Sequence, residues 1–298
     1  MRVAVTGANG FVGPYLVSHL QSMGDDVATI DRSGEPPVDI LDSDTLTQAM
    51  SRITPEVVYH LAALSHVGES WNDPVRTFRV NAEGTLNVLR AAAGAGASRV
   101  VVVGSAEQYG RVTPDQMPIT EDAPLRPVTP YGAAKVAAEY LALQHSLAGE
   151  VGTIRVRAFN HTGPGQSDRF VVPALAARIA RAENEPDDAV RVGSLDAVRD
   201  ITDVRDVVRA YRLLALQGDD GEAYNVCSGH GVSVETVAKT LLQTTTRPLR
   251  LVVDPELVRP TEIPVLVGDN AKLRAATGWE PLISLDQTLA DVVAAARD

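Results

Sequence analysis

The chain is poor in cysteine. Cys227 is the one cysteine in 298 residues, so no internal disulfide can form, which fits a reducing cytoplasm. Cys227 itself reads as a small buried hydrophobe. No apolar run approaches the ~18–20 residues of a membrane span. The N-terminus leads straight into a strand pattern, so no signal peptide and a cytoplasmic protein are expected. Basic residues are also short: 27 Lys and Arg stand against 38 Asp and Glu, a net charge of −11. Such a surface repels a nucleic-acid backbone, which argues against general nucleic-acid binding. Anionic ligands then require locally placed arginines. No spacing of His, Cys and carboxylates suggests a metal site, and there is no internal repeat or low-complexity tract.

What remains is an ordinary globular composition, 45% apolar and 22% charged, long enough for a large domain with a smaller lobe. Up to about residue 160, short apolar runs ("RVAVTG", "DVATID", "EVVYHLAA", "RVVVVGS", "VGTIRVRAFN") alternate with helical patterns. One of these is a long helix from Pro74 to the glycines near 94–96. Near-continuous apolar strands alternating with helices predict a parallel sheet covered on both faces. The fold class is α/β, a Rossmann-type doubly wound sheet. This doubly wound domain is expected over residues 1–160, and residues 161–298, richer in Pro and Gly with four short helices, are expected to form mainly a smaller second lobe, part of which returns to the sheet.

Two stretches carry chemistry. "TGANGFVG" sets Gly7, Gly10 and Gly13 between the first strand and the first helix. Glycines let the backbone approach a pyrophosphate, and the helix N-terminus offers free N–H groups. Tight strand–helix turns also use glycine, but the position directly after the first strand favours a dinucleotide. Asp31 ends the second strand, where a carboxylate can bind the adenine-ribose hydroxyls and repel a 2′-phosphate. This favours NAD(H). Arg32 beside it can offset the repulsion, so NADP(H) stays open, and Asp31 can also be a turn former. "TPYGAAK" places Tyr131 and Lys135 on one helix face, with Thr129 and Pro130 as N-cap and first residue. A nearby ammonium is expected to lower the tyrosine pKa. Ser105, at the end of the fourth strand, completes a Ser/Tyr/Lys set for an alcohol/ketone pair.

With "LAALSHVGESWNDP", "VNAEGT", "AFNHTGPGQ", "RDITDVRDV" and "NVCSG", the chain resembles the extended short-chain dehydrogenase/reductases that act on nucleotide sugars. It looks most like the branch of GDP-mannose 4,6-dehydratases and GDP-4-keto-6-deoxy-D-mannose reductases, and within it is closer to the reductases. The resemblance implies that Ser105 hydrogen-bonds the sugar C4 oxygen, Tyr131 exchanges a proton with it, and Lys135 binds the nicotinamide ribose. It implies further cofactor contacts at Asn9, Phe11, Val12, Asp39, Ile40, Leu61, Ala62, Ala63 and Asn81. For a nucleotide-diphosphate sugar it implies Ser65, Asn160, Arg169 and Val171, with Arg199 and Arg259 on the diphosphate and Glu262 on the nucleoside. Arg199 has a plainer reading, a salt bridge to Asp200, and His161 reads as structural. Glu107, two positions after Ser105, matches the base of the dehydratases, whereas Ala106 removes one proton donor. Reduction at C4 is expected, with 4,6-dehydration, 4-epimerisation and cofactor sensing without catalysis as alternatives. A homodimer is also implied, through the helix near 74–94 and the one carrying "YGAAKVAAEYLALQ", whose alanine-rich faces suit close packing across a two-fold axis but can equally cover the sheet only.

Overall fold

The computed structural model describes residues 1–258 and 263–297. In the first half, β1 (Arg2–Thr6), α1 (Val12–Ser22), β2 (Asp26–Ile30), α2 (Ser43–Ile53) and β3 (Val57–His60) are followed by α3 (Val67–Ser70), α4 (Pro74–Phe78), α5 (Gly84–Gly94), β4 (Arg99–Val103), α6 (Pro130–Leu147) and β5 (Gly152–Ala158). The second half holds β6 (Asn160–Thr162), α7 (Val171–Glu183), β7 (Ala189–Val192), β8 (Val198–Asp203), α8 (Val204–Gln217), β9 (Ala223–Val226) and β10 (Gly231–Ser233). It ends with α9 (Val234–Gln243), β11 (Arg250–Val253), β12 (Val265–Leu266), α10 (Ala271–Thr277) and α11 (Leu285–Arg297).

Six strands form one parallel sheet in the order β2-β1-β3-β4-β5-β9. The apolar runs are continuous because both faces are covered. Alternate side chains serve opposite faces. Val3, Val5, Tyr59 and Val101 pack with Leu16 and Leu20 of α1 and Val207 and Tyr211 of α8. Ala4, Val58, Val100 and Val102 pack with Leu46 and Met50 of α2, Val88 and Leu89 of α5, and Ala142 of α6. The strand order reverses between β1 and β3. A crevice therefore opens above the carboxyl ends of these strands, where doubly wound sheets take ligands.

The predicted long helix starts at Pro74, where Asp73 accepts from the Arg76 N–H at 2.9 Å, and runs to Gly94. It is not uniform. Arg79–Glu83 is a π-helical stretch, a bulge that re-aims side chains. Within it, Asn81 turns to the loop after β3. Its Oδ1 accepts from Leu64 N at 2.8 Å and its Nδ2 donates to Leu64 O at 3.0 Å.

In the second half, α8 to α11 are the four predicted helices. The helix α7 and the short strands are additional. Strand β8 is flanked by β10 and β12 and also pairs with β6. Residues of α7, α9 and α11 share an apolar cluster around Leu175, Ile179, Val237, Leu241 and Leu289. The chain then returns α8 and β9 to the main sheet. No helix among the described residues is long and apolar enough to cross a membrane.

Candidate active site

At the mouth of the crevice the β1 and β3 loops meet backbone to backbone. Gly7 has φ +72°, and a Cβ there would lie 2.6 Å from Ala62 N. Gly10 N donates to Gly7 O at 3.0 Å. A Cβ on Gly13 would reach within 2.0 Å of Ala8 O, so only glycine lets α1 sit against this turn. The α1 N-cap, Phe11, makes no side-chain capping bond, and no acidic residue lies in the first turn. The N–H groups and positive dipole end are left for an anion, so this cradle fits a pyrophosphate.

Asp31 follows β2. Its Oδ2 accepts from Asn9 N at 3.1 Å, and its Oδ1 accepts from Ser33 N and Oγ at 2.9 and 2.8 Å. Burial raises the Asp31 carboxyl, but the hydrogen bonds of Ser33 and Asn9 and the charge of Arg32 bring it below its ordinary value. The same carboxylate that organises the turn faces the glycine loop.

At the other end of the crevice, α6 starts as predicted. Thr129 Oγ1 accepts from Gly132 N at 2.9 Å, and Pro130 follows. Tyr131 and Lys135 are both buried, each 7% exposed. The Ser105 side chain favours the ionised form of the Tyr131 phenol beside it, and the Tyr131 N–H donates to Ser70 Oγ at 3.2 Å. The expected lowering of the tyrosine pKa by lysine does not occur. Burial pushes Tyr131 up to about 12, against the Ser105 hydrogen bond and with help from the Glu107 charge. Lys135 Nζ instead donates to Val103 O at 2.7 Å, and burial lowers Lys135 to about 8. Enclosure disfavours both charged forms, and the ammonium is occupied by the strand carbonyl.

One cleft gathers Gly7, Gly10, Phe11, Val12, Gly13, Leu61, Ala63, Ser65, Ser105, Glu107, Tyr131, Lys135 and Asn160. His161 lines it too, bonded through Nδ1 to Phe159 O and stacked on Phe11 at 6.2 Å. Burial lowers its pKa, so it is neutral at pH 7. A second recess shares Val67, Glu107 and Asn160 with the first and adds Val171, Arg178 and Arg199.

Arg199 donates to the carbonyls of Val198, Ile263 and Pro264. Asp200 accepts from Ser228, Gly229 and Gly268, and no salt bridge joins it to Arg199 among the described residues. Arg169 lies further out and is paired with Glu69 at 2.6 Å. Asn9, Asp31, Arg32, Asp39, Ile40, Ala62 and Asn81 are not on the cleft lining. Asp39 accepts from Leu41 N, and Asn87 donates to Ile40 O. Arg259 and Glu262 lie outside the described residues.

Three residues were missed in the sequence. Arg178 lies on α7, whose apolar spacing (Val172, Leu175, Ile179, Ala182) was readable but interrupted by Pro173. Gln108 and Glu139 form a buried link behind the site. Tyr109, which reads as a packing residue, also belongs there: its hydroxyl donates to Asn225 Oδ1 at 2.6 Å and accepts from Arg157 at 2.9 Å.

A family model described as GDP-mannose 4,6 dehydratase matches residues 4–292. The chain belongs to this family of extended short-chain dehydrogenase/reductases. It is an NAD(P)-dependent enzyme of nucleotide sugars. A GDP-6-deoxy-D-mannose reductase of Pseudomonas aeruginosa is 36% identical over 97% of this chain and 94% of its own. Among solved structures, RMD from Pseudomonas aeruginosa complexed with NADPH superposes with a TM-score of 0.91 at 34% identity, over 100% of this chain and 99% of that one. The UDP-glucose 4-epimerase of Thermus thermophilus, complexed with NAD, gives a TM-score of 0.89 at 28% identity, over 100% and 99%. Reductases, dehydratases and epimerases thus share this framework, and the site must distinguish them.

Proposed function

We propose that this family member reduces the C4 ketone of GDP-4-keto-6-deoxymannose or a related sugar nucleotide. The observation that carries this reading is the cleft that gathers Ser105, Tyr131 and Lys135 beside the glycine turn, in a chain 36% identical to a GDP-6-deoxy-D-mannose reductase over 97% of its length. In reduction the Tyr131 phenol serves as the proton donor to the C4 oxygen.

The glycine turn would hold the cofactor pyrophosphate on α1, Asp31 its adenine ribose, and Lys135 its nicotinamide ribose. When bound, the reduced cofactor is the source of hydride for C4. Ser105 hydrogen-bonds the ketone oxygen, and Tyr131 donates its proton to that oxygen as negative charge develops there. Lys135, with one donor on Val103 O, has two left for ribose hydroxyls. Asn160 and Arg199 hold the diphosphate sugar in the second recess, which an acidic protein can do only with local guanidinium groups. The test supplies GDP-4-keto-6-deoxymannose with NADH or NADPH and follows cofactor absorbance. No oxidation with this or related 4-keto sugar nucleotides would sink the proposal.

Glu107 lines both recesses and keeps dehydration as the second reading. That reading requires turnover of the parent GDP-hexose without net cofactor consumption, abolished in Glu107→Gln.

Two further outcomes follow from the site. As pH rises through about 8, Lys135 loses its proton while Tyr131 keeps its own. The kcat/KM for reduction is therefore expected to fall above that pH, and a profile flat to pH 10 would contradict the assignment. Removing the charge at Asp31 deletes bonds to the adenine ribose and the repulsion of a 2′-phosphate. Asp31→Ala should shift the NADPH-to-NADH ratio of kcat/KM toward NADPH by roughly tenfold, about 1.4 kcal/mol and within the range of a charged hydrogen bond. An unchanged ratio would place the discrimination elsewhere.

The chain also forms a homodimer in this reading. Val75 and Phe78 on α4 are 70% and 52% exposed, and Tyr140 and Leu147 on α6 are 56% and 78% exposed. These two helices pack together, and exposed apolar side chains gathered on neighbouring elements suit an interface. Tyr140→Asp should give a monomer by sedimentation velocity, and an unshifted coefficient would reject this face.

A further inference from the structure

Behind the reacting groups lies a buried chain of polar side chains. Gln108 is fully buried. Its Oε1 accepts from Ser105 N at 2.7 Å, and its Nε2 donates to Glu139. Glu139, on α6, is four residues beyond Lys135 and eight beyond Tyr131, so it shares their helix face. Its carboxylate is fixed from β5, by Arg157 Nη2 at 2.6 Å and Arg155 Nη1 at 3.0 Å. Arg157 is held in turn by Tyr109 and by Glu121 O at 2.8 Å.

The carboxamide orientation is chemically determined. A backbone N–H can only donate, and an ionised carboxylate can only accept, so the amide has one way to satisfy both. Room for it comes from Gly104: a Cβ there would lie 2.3 Å from Gln108 Oε1. One side chain therefore joins the turn that carries Ser105 to the helix that carries Tyr131 and Lys135.

We infer that Gln108 is a positioning residue: through Glu139 it sets the Ser105 turn against α6 and so aligns the Ser105 hydroxyl with the Tyr131 phenol. The inference rests on the reductase reading above. Gln108 lies behind Ser105, with no place on the cleft lining, so its effect reaches the reacting groups through the placement of the Ser105 turn against α6. A purely structural role predicts something else: loss of stability, with a catalytic effect independent of Ser105.

The experiment is a double-mutant cycle in the full chain. It compares Gln108→Met, Ser105→Ala and the double variant for kcat, KM for the 4-keto sugar nucleotide, and NADPH affinity by fluorescence. Gln108→Met is expected to lower kcat about 10- to 100-fold, the cost of a small misplacement of a reacting group. NADPH affinity should stay within about twofold, because the glycine turn is untouched. In the Ser105→Ala background the same change should add almost nothing, since coupled residues are non-additive. Wild-type kcat in Gln108→Met, or a full additive loss in the double variant, overturns the inference. Wild-type kcat in Ser105→Ala overturns the site reading and this inference with it. Should Gln108→Met not fold, Gln108→Glu keeps the shape and the acceptor but loses the donor to Glu139. It should show the same kcat loss and the same non-additivity.

Discussion

Tyr131→Phe is expected to lower kcat for C4 reduction by about a thousandfold, roughly 4 kcal/mol of barrier, in the middle of the range for a positioned proton donor. NADPH affinity should be little changed. The ring is enclosed at 7% exposure, and phenylalanine keeps its shape. Only the hydroxyl on Ser105 is lost, so no group is placed to protonate the C4 oxygen as hydride arrives. Lys135 is committed elsewhere in this reading, with one donor on Val103 O at 2.7 Å and the other two for ribose hydroxyls. Single-turnover kinetics with preformed NADPH complex would isolate the step. A kcat within tenfold of wild type would remove Tyr131 from the chemistry.

The second large effect is on stability. Glu139→Ala should lower the melting temperature by about 10 °C. Glu139 is 2% exposed and Arg157 5%. Breaking a buried pair by removing one partner costs about 3–5 kcal/mol, because the remaining charge is stranded. In a chain of this size each kcal/mol is worth about 2–4 °C. Here two guanidinium groups, Arg155 and Arg157, lose the carboxylate they share, and the Gln108 carboxamide loses its acceptor. Glu139→Gln, which keeps an acceptor oxygen, should lose less. Calorimetric melts decide between the cases, and a drop below about 3 °C in Glu139→Ala, less than a buried pair is worth, would mean that the arginines find other partners.

These two outcomes differ in how far the sequence foretold them. Tyr131 and Lys135 are four residues apart on a capped helix, so local geometry places them together whatever the rest of the chain does. The Gly7–Gly13 turn is equally local, as is the Thr129 cap. The polar link has no such signature. Gln108 and Glu139 are 31 residues apart, and Arg155 and Arg157 reach Glu139 from another strand. No local pattern links them, and only the sheet order, which sets β4 beside β5 with α6 packed on both, brings them together.

The same distinction explains the second half. Helices α8 to α11 are amphipathic and announce themselves. The short strands around β8 have few residues each, and their identity comes from partners distant in the chain, as when Asn160–Thr162 meets Ile201–Asp203. Arg199 shows the consequence. Its neighbour in sequence is Asp200, but successive strand residues face opposite ways. Asp200 therefore turns to the Ser228 loop, and Arg199 turns to the recess it shares with Glu107.

The sequence by itself determined the glycine cradle, the apolar strands and the Tyr/Lys pair, because each is set by neighbours within one turn or one strand. Only the tertiary structure decided the surroundings of that pair. Spacing suggested a lysine-lowered phenol. Burial, a property of the whole fold, disfavours charge on both groups and leaves Tyr131 a proton donor.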